Sequence, residues 1–226
     1  MVMAASRCDH GQPLNRHGKN LMYRIRLVSF ALMAASLLFI AQENRAAEPK
    51  LDNVPPKGFV NLFNGKDLTG WTEGGKVPEH WTVKEGMLVF DGKGRDLFTA
   101  EKFSNYVLLI DWRVEKNGNS GVYLRGGNPQ VEINDADSPK GKIWVGTTGG
   151  LYPDLPPTKR AAKATGEWNH FEITVANGSI TVLTNGEKTV AGFKKNWGDR
   201  SSGSIGFQNH GTPLWFKNIY VKKLED

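Results

Sequence analysis

The sequence predicts an all-β chain folded as a jelly-roll sandwich of two antiparallel sheets, with an irregular barrel as the alternative. Three observations predict it. Apolar and polar residues alternate at period two through most of the chain beyond residue 57, the mark of strands with one buried face. Asn177-Gly178 and Asn185-Gly186 stand between such runs, and Asn-Gly favours two-residue hairpin turns because both central positions need positive φ. No long segment carries helical apolar periodicity; the nearest, 159–168 (KRAAKATGEW), is brief and stopped by Gly166. Strands with one apolar face must be covered by a second sheet or close on themselves.

The first 47 residues are a different kind of sequence. Arg24 and Arg26 precede an apolar run, Leu27–Ala41, and the small residues Ala46 and Ala47 close it. That is the order of a secretory signal, with Met22 as an alternative start that leaves a compact basic n-region. The run is shorter than the ~20 residues a bilayer crossing needs, so no stable membrane span is expected. Cys8, the single cysteine, falls in this leader, and a processed chain would have none. Export without disulfides fits a periplasmic or secreted bacterial protein.

The 226 residues carry a formal charge of +6, but residues 1–47 hold six basic against two acidic side chains. The remainder has 23 basic and 21 acidic residues, a charge of +2. Nucleic acid is therefore not an expected partner, since its binders show a dense basic stripe. Residues 48–57 (EPKLDNVPPK) read as a short Pro-rich linker, and 58–226 as one domain.

Within that domain WTVKEGMLVF is an early strand pair, with His80 just before it as a turn residue. In YVLLIDWRV the residues Tyr106, Leu108, Ile110, Trp112 and Val114 share one face. GVYLR and QVEIND then form a hairpin across Gly126-Gly127-Asn128-Pro129. Alternation buries Val122, Leu124, Val131 and Ile133 and puts Tyr123, Arg125, Gln130, Glu132 and Asn134 on the other face. A long excursion, roughly 136–167, follows; connections of that length are usually functional loops, and Trp144 and Tyr152 lie in it. Phe171, Ile173 and Val175, then Ile180, Val182 and Thr184, alternate in the next two strands. EKTVAGF, SIGF and WFKNIYVKKL complete the set.

The polar face of the central hairpin is the candidate site. An Arg and a Glu on neighbouring strands can be an ordinary cross-strand pair. The density of Tyr, Arg, Glu, Asn and Asp beside a glycine-framed turn points instead to a binding or catalytic face. Planar guanidinium, amide and carboxylate groups grip vicinal hydroxyls, and aromatic rings give a sugar's apolar face a platform. Beyond the leader there are only three histidines, His80, His170 and His210. His170 is divided between a solvated strand face and the site, and His210 sits in a polar turn, Gln208-Asn209-His210-Gly211. Glu132, Asp135 and Asp137 offer hard oxygens for a divalent cation such as Ca, Mg or Mn. Nucleotide-binding glycine loops, H-E-x-x-H and G-x-S-x-G are absent, and Ser120 lacks the nucleophile elbow.

Taken in order, FNGKDLTGW at 63–71, WTVKEG at 81–86, NSGVYLR at 119–125, EIND at 132–135 and TGGLY at 148–152 resemble the 3-keto-disaccharide hydrolase domain family. GEWN at 166–169, GSIGFQNH at 203–210 and FKNI at 216–219 extend the resemblance to about 58–224. It implies a concanavalin-like jelly-roll sandwich, an exported bacterial protein and hydrolysis of glycosides already oxidised at C3. It also implies roles for Arg125, Glu132, Asp135 and His210. The chain departs in having Gly150 where alanine is common, and NPQ before the glutamate.

A C3 ketone acidifies the C2 proton, so a base can start elimination of the C1 leaving group, with water adding afterwards. On this expectation Glu132 or His210 is base or acid and Arg125 clamps the enolate. Asp135 and Asp137 hold any metal, while Tyr123, Asn134, Trp144, Tyr152, His170 and Gln208 bind the carbohydrate. A non-catalytic carbohydrate-binding sandwich is the alternative, since the same residues would serve it; a structural or adhesion module is the third.

Overall fold

The computed structural model describes residues 54–76, 78–135 and 141–225. The leader with Cys8, the first part of the Pro-rich linker and Asp137 lie outside the described residues. Among the described residues there is no helix, and so none long and apolar enough to cross a membrane. The Ala-rich stretch at 159–168 runs as irregular loop, with peptide groups bonded to partners outside the stretch. The Asn185 amide donates to Ala161 O, Lys163 N–H donates to Asn169 Oδ1, and Gly166 N–H donates to Val114 O.

Two antiparallel sheets face each other. The larger has the order β12 (Glu187–Lys194), β11 (Ser179–Thr184), β10 (Asn169–Ala176), β6 (Tyr106–Val114), β14 (Leu214–Lys223), β4 (Met87–Phe90), β3 (Trp81–Lys84), with β1 (Val60–Asn61) also paired to β14. The smaller runs β2 (Trp71–Glu73), β5 (Leu97–Phe103), β13 (Gly203–Phe207), β7 (Asn119–Tyr123), β8 (Gln130–Asn134), β9 (Leu151–Tyr152). This is the sandwich the alternation predicts, not the barrel. Both expected Asn-Gly hairpins form: Asn177 and Gly178 have φ of 49° and 71°, Asn185 and Gly186 of 52° and 82°. They join β10 to β11 and β11 to β12.

The inward faces make one apolar core. Val122, Leu124, Val131 and Ile133 of the smaller sheet are fully buried, as are Leu108, Ile110, Phe171 and Ile173 of the larger. An aromatic cluster ties the sheets together: Trp81 stacks on Phe90 at 4.3 Å and Phe207 on Phe216 at 4.3 Å, with Trp71 5.1 Å from Phe207. Such pairs add roughly 0.5–1.5 kcal/mol each beyond the burial of their surface. This core fixes the smaller sheet, whose opposite face is free to carry polar side chains.

Candidate functional site

The site is built on the outer face of the smaller sheet, where β7 and β8 pair with Gly121 opposite Glu132 and Tyr123 opposite Gln130. Two glycines shape its floor. A β-carbon at Gly206 would stand 2.3 Å from the Phe98 ring, so that ring lies flat over the backbone and stacks on Tyr123 with centroids 5.6 Å apart. The missing side chain of Gly121 likewise leaves room for the Gln130 amide.

That amide organises the site. Gln130 Nε2 donates to Glu132 Oε2 at 3.1 Å and to Gln208 Oε1 at 3.0 Å, while its own Oε1 is buried without a partner. Gln208 is held from both sides: its N–H donates to Gly121 O, and Ser120 Oγ donates to its carbonyl. Glu132 is only 4% exposed, and burial raises its pKa to about 7, against the lowering effect of the Gln130 bond. A carboxyl poised near neutrality is suited to proton transfer. Burial, and next the Asp96 charge, push the Tyr123 phenol up, so it stays a neutral donor; Gln208 and Asp96 are its hydrogen-bonding neighbours. Asp96 in turn accepts the Asn209 N–H at 2.7 Å.

The structure therefore brings Glu132, Tyr123 and Gln208 together and adds Gln130, Asp96 and Phe98. Sequence alternation places Gln130 on the right face but gives it no role. Asp96 follows the glycine-punctuated turn DGKGR, a signal that only the pairing of β5 with β13 converts into proximity. His210 is exposed on the turn two residues beyond Gln208. Tyr152 lies at the sheet edge opposite Gln130 and is partly exposed. Asn134 leaves β8 on the Glu132 face, and its amide donates to Gly146 O of the loop carrying Trp144.

Three expected members stand elsewhere. Arg125 follows the end of β7 and turns inward rather than continuing the alternation. Its guanidinium donates to Ser104 O at 2.7 Å and Arg200 O at 3.1 Å and lies 4.6 Å from the Trp197 ring centroid. It clamps loops at the end of the core and does not reach Glu132's amide network. His170 belongs to β10 of the larger sheet, where it pairs with Asp111 at 2.6 Å; Asn218 holds the other oxygen of that carboxylate. Asp135 is buried, accepting the Asn117 N–H at 2.7 Å and the Thr165 hydroxyl. It does not converge with Glu132, and among the described residues no three His, Cys, Asp or Glu side chains are placed to share a metal ion.

The loop after β8 is fixed to it. Gly149 N–H donates to Glu132 O and Glu132 N–H to Gly150 O, and Thr189 Oγ1 donates to Gly149 O. Gly149 has a φ of 81°, and a β-carbon there would meet the Thr184 hydroxyl at 2.4 Å. At Gly150 a β-carbon would stand 2.8 Å from Pro157 Cδ, which accounts for glycine where the family resemblance implies alanine.

Residues 58–222 match the family described as 3-keto-alpha-glucoside-1,2-lyase-like domain. A 3-keto-disaccharide hydrolase from Bacteroides thetaiotaomicron is 30% identical over 233 aligned positions, 76% of this chain and 80% of the relative. The crystal structure of a candidate glycosyl hydrolase from Parabacteroides distasonis is similar with a TM-score of 0.66 at 28% identity, over 74% of this chain and 94% of that one. Domain 4 of an extracellular arabinanase from Geobacillus stearothermophilus, solved with arabinotriose, shares the fold alone, with a TM-score of 0.51 and 16% identity over 75% of this chain and 92% of that domain. The family match spans both sheets and the polar face around Glu132, and the chain belongs to the 3-keto-alpha-glucoside-1,2-lyase-like domain family.

Proposed function

We propose that the protein is a hydrolase of glycosidic bonds in 3-keto-glycosides and 3-keto-disaccharides, acting by elimination across C1 and C2 followed by hydration. The observation that carries this reading is Glu132, a buried carboxyl brought to a pKa of about 7 and aimed by an amide. Elimination from a 3-keto sugar asks for one base working near neutral pH. Direct displacement asks for two carboxyls placed across the bond, ~5–5.5 or ~6.5–9.5 Å apart. The lyase wording of the family description supports the elimination route, and the name of the Bacteroides relative supports the 3-keto substrate.

In this mechanism Glu132 takes the C2 proton, and the electron pair moves toward the C3 oxygen as an enolate. The neutral Tyr123 phenol, on the same face as Glu132, is the donor for that developing charge. The C1–oxygen bond then breaks to leave an enone, and the departing oxygen takes a proton, for which His210 on the adjoining turn is the remaining candidate. Water adds at C1 and gives its proton to His210, restoring the acid, while Glu132, its carboxyl proton exchanged with solvent, protonates C2, so the net change is hydrolysis. The basic-then-apolar leader supports work outside the cytoplasm, in the periplasm or exterior.

The test is incubation of the purified chain with a 3-keto-disaccharide and with its unoxidised parent in D₂O. Release from the keto sugar alone, with deuterium entering C2, is the expected result. Equal cleavage of both sugars would remove the ketone requirement. Binding without turnover across keto sugars would identify a carbohydrate-binding module.

A further inference from the structure

Beside the Glu132 face lies a cavity of about 300 Å³ between the loop 141–148 and the loop 160–164, lined by Asn134, Asp135, Trp144, Thr147, Thr148, Arg160 and residues 161–164. That volume is at the lower end of small-molecule sites. Asn134 connects it to the chemistry: it stands two residues beyond Glu132 on the same face of β8, about 7 Å along the strand.

The cavity is held open by hydrogen bonds between its loops and β8. Thr148 Oγ1 bonds both peptide groups of Asn134, accepting its N–H at 2.9 Å and donating to its carbonyl at 2.8 Å. Trp144 lies so close over Gly146 that a β-carbon there would stand 2.4 Å from the indole, and the residue is 36% exposed. Arg160 donates to Lys142 O at 3.1 Å and ties one loop to the other. On the far side Asn185 and Asn169 hold Ala161 and Lys163. An indole, a guanidinium, an amide and threonine hydroxyls in one small space match a hexose ring, with its C–H face and its vicinal hydroxyls. The buried Asp135 carboxyl in the same wall disfavours an anionic guest.

We infer that this cavity receives the neutral sugar that departs from C1, and that Trp144 and Arg160 make the protein selective for disaccharides over glycosides with small aglycones. The inference rests on the reading of Glu132 as the base at C2.

The experiment compares a 3-keto-disaccharide with the methyl 3-keto-glucoside, using the ratio of their kcat/KM values. Trp144→Ala and Arg160→Ala should each lower that ratio by roughly 10–100-fold, the scale of a lost stacking or charged hydrogen-bond contact. Trp144→Phe should keep most of it. In parallel, calorimetry of the unoxidised disaccharide should show binding weakened by Trp144→Ala. A ratio unchanged in both alanine variants, with the unoxidised disaccharide bound as by the unaltered chain, overturns the assignment. If the unaltered chain turns over neither keto substrate, the reading of Glu132 fails, and the calorimetry alone still decides what the cavity holds.

Discussion

Gln130 lies across Gly121: a β-carbon at residue 121 would stand 2.5 Å from the Gln130 amide carbon. The space left by one missing side chain on β7 is what lets an amide from β8 bend back and donate to Glu132 two residues along its own strand. The ionised carboxylate accepts that bond, so the bond lowers a pKa that burial has raised. Gly121→Ala and Gln130→Leu should both take it away. In each variant the acidic limb of kcat/KM should move to higher pH, because Glu132 must lose its proton to act. A limb at the same pH in both would mean that Glu132 is not the titrating base.

Glu132 also links activity to stability. Its folded pKa of about 7 lies above the ordinary value of 4.5, so between those two the folded state holds a proton that the unfolded state has released. Stability is therefore lost as pH rises from about 4.5 to about 7, by roughly 3 kcal/mol for this group. Glu132→Gln should abolish turnover by about 10²–10⁴-fold. It should also flatten the decline of Tm between pH 5 and pH 8, leaving the variant more stable than the original chain at pH 8. Parallel Tm curves for the two proteins would contradict the buried, near-neutral carboxyl.

Arg125 is expected to behave as a structural clamp. Arg125→Met removes two bonds to main-chain carbonyls and the contact with Trp197, at a cost of about 2–4 kcal/mol. Thermal unfolding should register that loss, whereas KM for the keto sugar at a temperature where the variant is folded should stay near its original value. Arg125→Lys should recover little, since one ammonium cannot span both carbonyls in the plane of the fork. A fully stable Arg125→Met variant with impaired catalysis would return Arg125 to the site.

Gly150 offers a check on how this chain departs from the resemblance. Gly150→Ala should destabilise by about 1–3 kcal/mol, because the new methyl meets Pro157 Cδ at 2.8 Å and the Leu155 carbonyl oxygen at 3.0 Å. Pairing the change with Pro157→Ala should restore part of the loss in a denaturant titration. An unaltered midpoint for Gly150→Ala alone would show that the 153–157 turn yields freely.

The fold was readable because period-two alternation and Asn-Gly turns are local signals, and the core obeys them from Tyr106 through Val182. The hairpin placed Glu132 on the right face for the same reason. Alternation misplaces Arg125 because it holds only while a residue stays in its strand, and β7 ends at Tyr123. His170 shares a polar strand face with nothing in the smaller sheet, yet which sheet a strand joins depends on long-range pairing, here with Asp111 fifty-nine residues away. Gln130 was hidden by its chemistry: an amide carries no charge and fits any polar strand face, and its function depends on the glycine opposite. Asp96 needed the β5–β13 pairing to come near Tyr123.

The paired bonds between the peptide of Glu132 and Gly149-Gly150 mean that the residue proposed as the base and the loop bearing Trp144 share one anchorage. The loop is consequently a wall and not a gate. Swinging it outward would unhook the backbone of the residue proposed as the base. On the proposed mechanism substrate enters across the outer face of the smaller sheet, and products leave the same way. Turnover governed by bond breaking, and indifferent to the viscosity of the medium, is the kinetic signature of such a rigid mount.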